Sequence, residues 1–165
     1  MTRHSRPTEL CYLTTWWFEA PLDRVFRALV DIGDWPAWWK SLRAVEELAP
    51  GDARGIGRRY RCRWRSRLGY RLCFEVCVTC VVPGRLIEGV ARGDVRGTGR
   101  WRLSETRGVT RVRYEWRVRP VRPWMALVAP LAEPVFAWNH HAVMRDGALG
   151  LARWLDVPLL AIERQ

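Results

Sequence analysis

Apolar side chains recur at every second position through the middle of the chain. Over residues 56–66, Tyr60, Cys62 and Trp64 share one face, and Arg59, Arg61, Arg63 and Arg65 share the other. Over residues 68–82 the apolar face is Leu72, Phe74, Val76, Val78 and Cys80, while Arg71, Glu75 and Thr79 point away. Gly99, Trp101 and Leu103 then share a face. Val112, Tyr114, Trp116 and Val118 alternate with Arg111, Arg113, Glu115, Arg117 and Arg119. A period of two with one charged face predicts strands, and turns at Pro83-Gly84 and Arg107-Gly108 predict an antiparallel meander. The strand at residues 85–95 is undecided by its pattern. Either Glu88, Arg92 and Asp94 face inward as a buried charged set, costly unless paired and then functional, or Ile87, Gly89 and Ala91 face inward and the charges lie on the surface.

Two further strands are expected, at residues 10–19, rich in β-branched and aromatic side chains, and at 42–48. Ala20-Pro21 breaks the first. Pro21 suits the first turn of a helix over 21–31, with Leu22, Val25, Phe26 and Leu29 at helical spacing. Gly33 ends it, and Asp34 is the N-cap of a second short helix built on Trp35-Pro36-Ala37-Trp38-Trp39. One long helix closes the chain, starting within 123–134 and ending near Leu155. Its apolar stripe is Phe136, His140, Val143, Met144, Gly147, Leu151, Trp154 and Leu155, with Arg145, Asp146 and Arg153 opposite. Each glycine in such a helix weakens it by about 1 kcal/mol relative to alanine. Gly147 and Gly150 therefore mark a close approach or deliberate room.

With 165 residues and 19.3 kDa, the chain has the length of one domain, 1–165 with a core over about 10–155, and can fold without a metal or disulfide. Its longest apolar stretches, 125–132 and 157–162, are too short or too proline-broken for a bilayer, which takes ~20 residues. The basic start MTRHSRPTEL lacks the apolar region of a secretory signal. A soluble, cytoplasmic protein is expected. The net charge is +11 and the pI ≈ 10.6, but Lys40 is the only lysine among 28 basic residues. GC-rich coding also produces such an arginine skew. Placed on the outer face of a sheet, these arginines read as solvated decoration, and a nucleic-acid role is not expected.

The five cysteines, Cys11, Cys62, Cys73, Cys77 and Cys80, are odd in number and read as free thiols. Cys73, Cys77 and Cys80 have the spacing C-x3-C-x2-C. On a strand rising ~3.3 Å per residue, however, Cys73 and Cys77 stand far apart and Cys80 faces the other way. No metal and no cofactor are expected. His140, near the middle of the helix stripe, is the leading titratable candidate, as a general base or as a hydrogen-bond donor to a ligand carbonyl. The other reading is a buried histidine satisfied by a strand hydroxyl. His141 lies ~100° further round the helix, so the pair cannot chelate one ion. Tyr12, Tyr60, Tyr70 and Tyr114 could bring hydroxyls to a cavity, Tyr60 and Tyr114 from faces assigned inward. There is no Gly-x-Ser-x-Gly elbow, phosphate-binding loop or dinucleotide fingerprint.

The order of strand, two short helices, six strands and a long helix is the helix-grip plan. Four segments carry a resemblance: Ala20-Pro21…Val25-Phe26, Trp35-Pro36-Ala37-Trp38-Trp39, the turn region from Gly93 to Trp101, and the helix from Trp138 through Gly147 and Gly150 to Leu151. In these the chain resembles the SRPBCC, or START-like, superfamily, which includes START domains, the birch-pollen allergen and the bacterial polyketide cyclase/dehydrase group. The resemblance implies an α+β helix-grip fold, a curved antiparallel sheet of about six to seven strands wrapped around the C-terminal helix. It also implies a cavity between sheet and helix, opening near the short helices.

The expected lining is Trp38, Tyr60, Trp64, Phe74, Trp101 and Tyr114, together with Trp116, Phe136, His140, Val143, Met144 and Gly147. His140 and Tyr114 are the candidate catalytic groups. Eleven tryptophans suit a flat apolar ligand, although tryptophan also serves as an ordinary core filler. The leading expectation is binding of a hydrophobic small molecule, such as a lipid, an isoprenoid quinone or a polyketide-like compound. One alternative is a polyketide aromatase/cyclase acting on a poly-β-ketone tethered to an acidic carrier protein. Another is an interaction module for RNA, a membrane or an acidic protein through the arginine face.

Overall fold

The structure, a computed structural model, describes residues 9–165. One curved, unclosed antiparallel sheet has the strand order β2-β3-β4-β5-β6-β7-β1-β8. Its strands are β1 (Leu10–Phe18), β2 (Leu42–Pro50), β3 (Arg58–Arg65), β4 (Arg71–Val82), β5 (Leu86–Gly93), β6 (Val95–Thr106), β7 (Val109–Pro120) and β8 (Leu159–Arg164). Helix α1 (Leu22–Val30), a 3-10 turn (Ile32–Asp34) and helix α2 (Trp35–Trp38) follow β1, and α3 (Pro123–Leu155) lies in the concave face. This is the helix-grip plan, with β8 as an eighth strand beyond the six or seven expected. β8 pairs with β1 from Thr14↔Arg164 to Phe18↔Leu159.

The alternation holds where the sequence shows it. In β1 the inward residues Leu10, Tyr12, Thr14, Trp16 and Phe18 are all buried. The β1–α1 corner is tied to the β6–β7 hairpin. The Leu22 N–H donates to Glu105 Oε2 at 2.8 Å, and the buried Thr110 hydroxyl donates to the Ala20 carbonyl at 2.7 Å. Asp156, in the left-handed conformation, caps α3, and Arg24 donates to the Leu155 carbonyl at 2.6 Å.

Two expectations are corrected and one open alternative is decided. In β4 the register slips between Val78 and Cys80, so Val81, not Cys80, continues the inner face after Phe74, Val76 and Val78. In α3, Asp146 is buried and Trp154 exposed, the reverse of the stripe read from the wheel. Asp146 faces the β3–β4 turn, whose polar groups receive it, whereas Trp154 lies in the last turn beyond that contact. The faces of β5 are now decided, because Ile87 and Ala91 are buried. Glu88 pairs outward with Arg100 at 2.7 Å, Arg92 is exposed, and Asp94 holds the Cys73 N–H and Arg122 at 2.7 and 2.9 Å.

Two hydrophobic clusters fill the concave side. One gathers α1, α2, Trp16, Trp101 and the C-terminal half of α3. The other joins Leu10, Tyr12, Phe74, Val95 and Val118 to Met125, Ala129 and Phe136 of the N-terminal half of α3. Trp64 and Val76 touch both, and between the clusters lies open space.

Candidate functional site

A cavity of about 170 Å3 runs between the sheet and α3. The inward faces of β3 to β7 supply Trp64, Phe74, Val76, Trp101, Tyr114 and Trp116. The α3 helix supplies Met125, Phe136, His140, Val143 and Met144, and Leu29, Ile32, Trp35 and Trp39 close the end near the short helices. Strand alternation explains the first set, since each of these residues lies an even number of positions from its neighbours on one strand. The wall is aromatic because the rings pack on one another. Tyr114 stacks on Trp101 with centroids 3.9 Å apart, and Trp39 meets Trp64 edge to face at 5.1 Å.

Three of the expected lining residues lie elsewhere. Gly147 opens no room, because a Cβ there would stand 2.5 Å from the Trp39 ring. It is a point of close approach that admits the indole, whose N–H donates to the Val143 carbonyl at 2.8 Å. Gly150 has the same role against the Trp38 carbonyl. Trp38 is buried beneath α3, stacked on Trp39, and borders a separate shallow groove with Asp34 and Trp154. Tyr60 faces inward but is enclosed by core residues. Trp64, Phe74, Trp101, Tyr114, Trp116, Phe136, His140, Val143 and Met144 do line the cavity. The expected lining omitted Trp35 and Trp39, and it also omitted Tyr70 and Tyr12, which the sequence offered only as tyrosines that could bring a hydroxyl to a cavity. The place of Tyr12 between Leu10 and Thr14 on the inward face of β1 was the available clue.

Tyr12 and His140 are the polar centre of this wall. Their rings stack at 4.4 Å, and neither the Tyr12 hydroxyl nor His140 Nε2 has a hydrogen-bond partner among the described residues. Burial drives the His140 pKa down to about 3, with His141 adding to the effect, so the imidazole is neutral over the physiological range. Burial also pushes the Tyr12 phenol well above its usual range, reinforced by the Glu133 charge, and burial raises Tyr114 likewise. A base of ordinary strength is therefore missing from this pair, but two hydrogen-bonding groups are present.

A polar lattice closes the other side. The Asn139 amide donates to the Tyr70 hydroxyl at 3.1 Å, and its oxygen accepts the Arg67 N–H at 2.9 Å. Buried Asp146 accepts from Arg67 at 2.8 Å and from the Ser41 hydroxyl at 3.2 Å, with Lys40 at 3.6 Å. These bonds clamp the β3–β4 turn onto α3. Among the described residues no three His, Cys, Asp or Glu side chains gather closely enough to hold a metal ion.

Several known structures share this architecture. A START superfamily protein from Mycobacterium smegmatis superposes with a TM-score of 0.72 at 12% identity, covering 88% of this chain and 97% of that one. The di-domain ARO/CYC protein BexL from the BE-7585A biosynthetic pathway gives 0.69 at 17% identity, covering 89% of this chain. This chain spans only 50% of the length of BexL. Ara h 8.0201 gives 0.66 at 12% identity, covering 90% of this chain and 98% of that one. At these identities the likeness is one of fold. No curated protein matches the chain in sequence. The model of one family, polyketide cyclase / dehydrase and lipid transport, matches residues 18–145, most of the chain. The protein belongs to that family.

Proposed function

We propose that the protein binds a small, largely apolar molecule carrying one hydrogen-bonding group, held with that group at Tyr12 and His140. The observation that carries this reading is the stacked Tyr12–His140 pair, whose polar atoms are buried and unpartnered in a largely apolar cavity. A buried donor or acceptor without a partner costs about 1–3 kcal/mol, which a ligand hydroxyl or carbonyl would recover. The aromatic wall offers flat faces for stacking, in keeping with a ring-bearing ligand such as a quinone or an aromatic polyketide.

The aromatase/cyclase alternative needs a proton acceptor beside the ligand. His140, with its pKa pushed down to about 3, supplies a hydrogen bond better than it supplies a base, so binding ranks ahead of turnover. Calorimetric titration with 2-naphthol and with naphthalene tests the reading. Both should bind, 2-naphthol up to about tenfold more tightly for one net hydrogen bond. A Tyr12→Phe/His140→Leu double variant should erase that difference while keeping naphthalene binding. Failure of both probes to bind would overturn it.

A further inference from the structure

The convex face of the sheet, turned away from α3, carries an array of arginines whose arrangement follows from the strand register. Glu75, Glu88 and Glu115, the acids on this face of β4 to β7, are each taken by one arginine, respectively Arg61, Arg100 and Arg117. Two banks of arginine are left over. Arg59, Arg63, Arg65 and Arg71 form one on β3 and β4, and Arg96, Arg102, Arg113 and Arg119 form the other on β6 and β7. All of these are exposed, and none makes an ion pair among the described residues.

Within the banks, Arg65 stands directly opposite Arg71, Arg96 opposite Arg119 and Arg102 opposite Arg113. Like charges in that position are destabilising, so the isolated fold bears a cost that an external anion would relieve. Composition sets how many arginines the chain has, not that they oppose one another across neighbouring strands. No large apolar side chain is exposed between the banks, so this face has nothing to insert into a bilayer. Its one aromatic ring, Trp17, is half-buried and lies under Arg111 at 5.5 Å, which leaves no platform for unpaired bases. The banks are three strand spacings apart, about 14 Å from centre to centre. The major groove of B-form DNA is about 12 Å wide.

We propose that the convex face binds the phosphate backbone of duplex DNA without sequence preference. The strip between the banks enters the major groove, and each bank lies on one row of phosphates, whose oxygens guanidinium groups match bidentately. The curvature favours this fit, because a convex surface enters a groove but meets a flat bilayer only at its crest. A duplex supplies two regular rows of charge. A folded acidic protein, which would have to place a carboxylate against each arginine separately, is the poorer occupant. The cavity lies on the other side of the sheet, so this inference does not rest on the ligand-binding reading.

Fluorescence anisotropy of a labelled, mixed-sequence DNA duplex with the full chain tests it. The duplex should bind, and its affinity should fall at least about 100-fold from about 50 to about 200 mM salt, as four or more phosphate contacts require. Arg102→Ser/Arg113→Ser and Arg65→Ser/Arg71→Ser should each flatten the log–log salt slope by about 2. Because each removes a like-charged pair, neither should lower the Tm. Arg145→Ser/Arg153→Ser, an equal loss of charge from exposed positions on α3, should keep the wild-type slope. No binding to the duplex, or an α3 variant whose slope flattens as much as those of the sheet variants, would overturn the proposal. So would tighter binding to a single strand or to duplex RNA. Polyglutamate that displaces the duplex at equal charge would also overturn it and assign the face to an acidic protein. All three variants should bind 2-naphthol as the wild type does, so failure here leaves the cavity reading standing, and a failed cavity reading leaves duplex binding intact.

Discussion

The imidazole of His140 lies flat against the phenol ring of Tyr12, with centroids 4.4 Å apart and planes inclined by 17°. The stack sets two polar edges side by side in an apolar wall, one from the middle of α3 and one from β1. Each alone is an ordinary core side chain. Together, unpartnered, they are the observation on which the proposed preference for a hydrogen-bonding ligand rests.

The His140 environment makes stability depend on pH. Its folded pKa, pushed down to about 3, lies below the unfolded value of about 6.5, so the unfolded chain binds the proton more readily. The contribution is complete above about pH 6.5 and is lost progressively as the pH falls toward 3. Between pH 7 and 4.5 it should amount to about 2–3 kcal/mol. Urea unfolding of His140→Phe should show that much less acid sensitivity than the wild type. An imidazole NMR signal for His140 titrating near pH 6.5 would contradict the burial argument.

Asp146 anchors the β3–β4 turn on α3 through Arg67 and Ser41. Arg67 and Lys40 are about half or more exposed, so water screens the ion pairs and the hydrogen bonds carry most of the effect. Asp146→Ala should cost about 1–3 kcal/mol in urea unfolding, and Asp146→Asn less. A neutral Asp146→Ala would show that the turn holds without this clamp.

Helix propensity alone favours Gly150→Ala by about 1 kcal/mol. The structure predicts the opposite sign, because the new methyl would land on the Trp38 carbonyl oxygen. The expected net loss is about 1–3 kcal/mol, visible as a lowered Tm. A raised Tm would mean that α2 and α3 are farther apart than described.

Thiol accessibility separates the cysteines. Cys11 is exposed, whereas Cys62 is buried and its pKa is pushed up to about 12 by burial, with the neighbouring Cys73 adding to the effect. With a thiol reagent at pH 8, Cys11 should react at once and Cys62 only on unfolding. Equal rates, read by mass spectrometry of the peptides, would place Cys62 outside the core.

Most of the sheet is legible in the sequence, because a strand with one wet face writes its burial as a period of two. The pattern fails where backbone or neighbours intervene. The slip near Cys80 inserts a residue and flips the alternation, which composition cannot reveal. β8 is missed because a half-exposed edge strand has no burial period of its own. Asp146 looks outward on a helical wheel because the wheel knows nothing of the turn that reaches over to meet it. Gly147 looks like room until the Trp39 indole fills it. The resemblance supplies the architecture and the cavity, and the inward face of β7 supplies Tyr114 and Trp116. Tyr12 emerges as half of a pair only once β1 and α3 are placed together.

Native mass spectrometry of the protein purified from a host that makes its ligand tests the central claim most directly, beside a Val143→Phe variant that fills the cavity. The account predicts a stoichiometric lipophilic adduct bearing a hydroxyl or carbonyl on the wild type and none on the variant. Wild-type protein that stays bare after incubation with 2-naphthol, or an adduct retained equally by the variant, would contradict it.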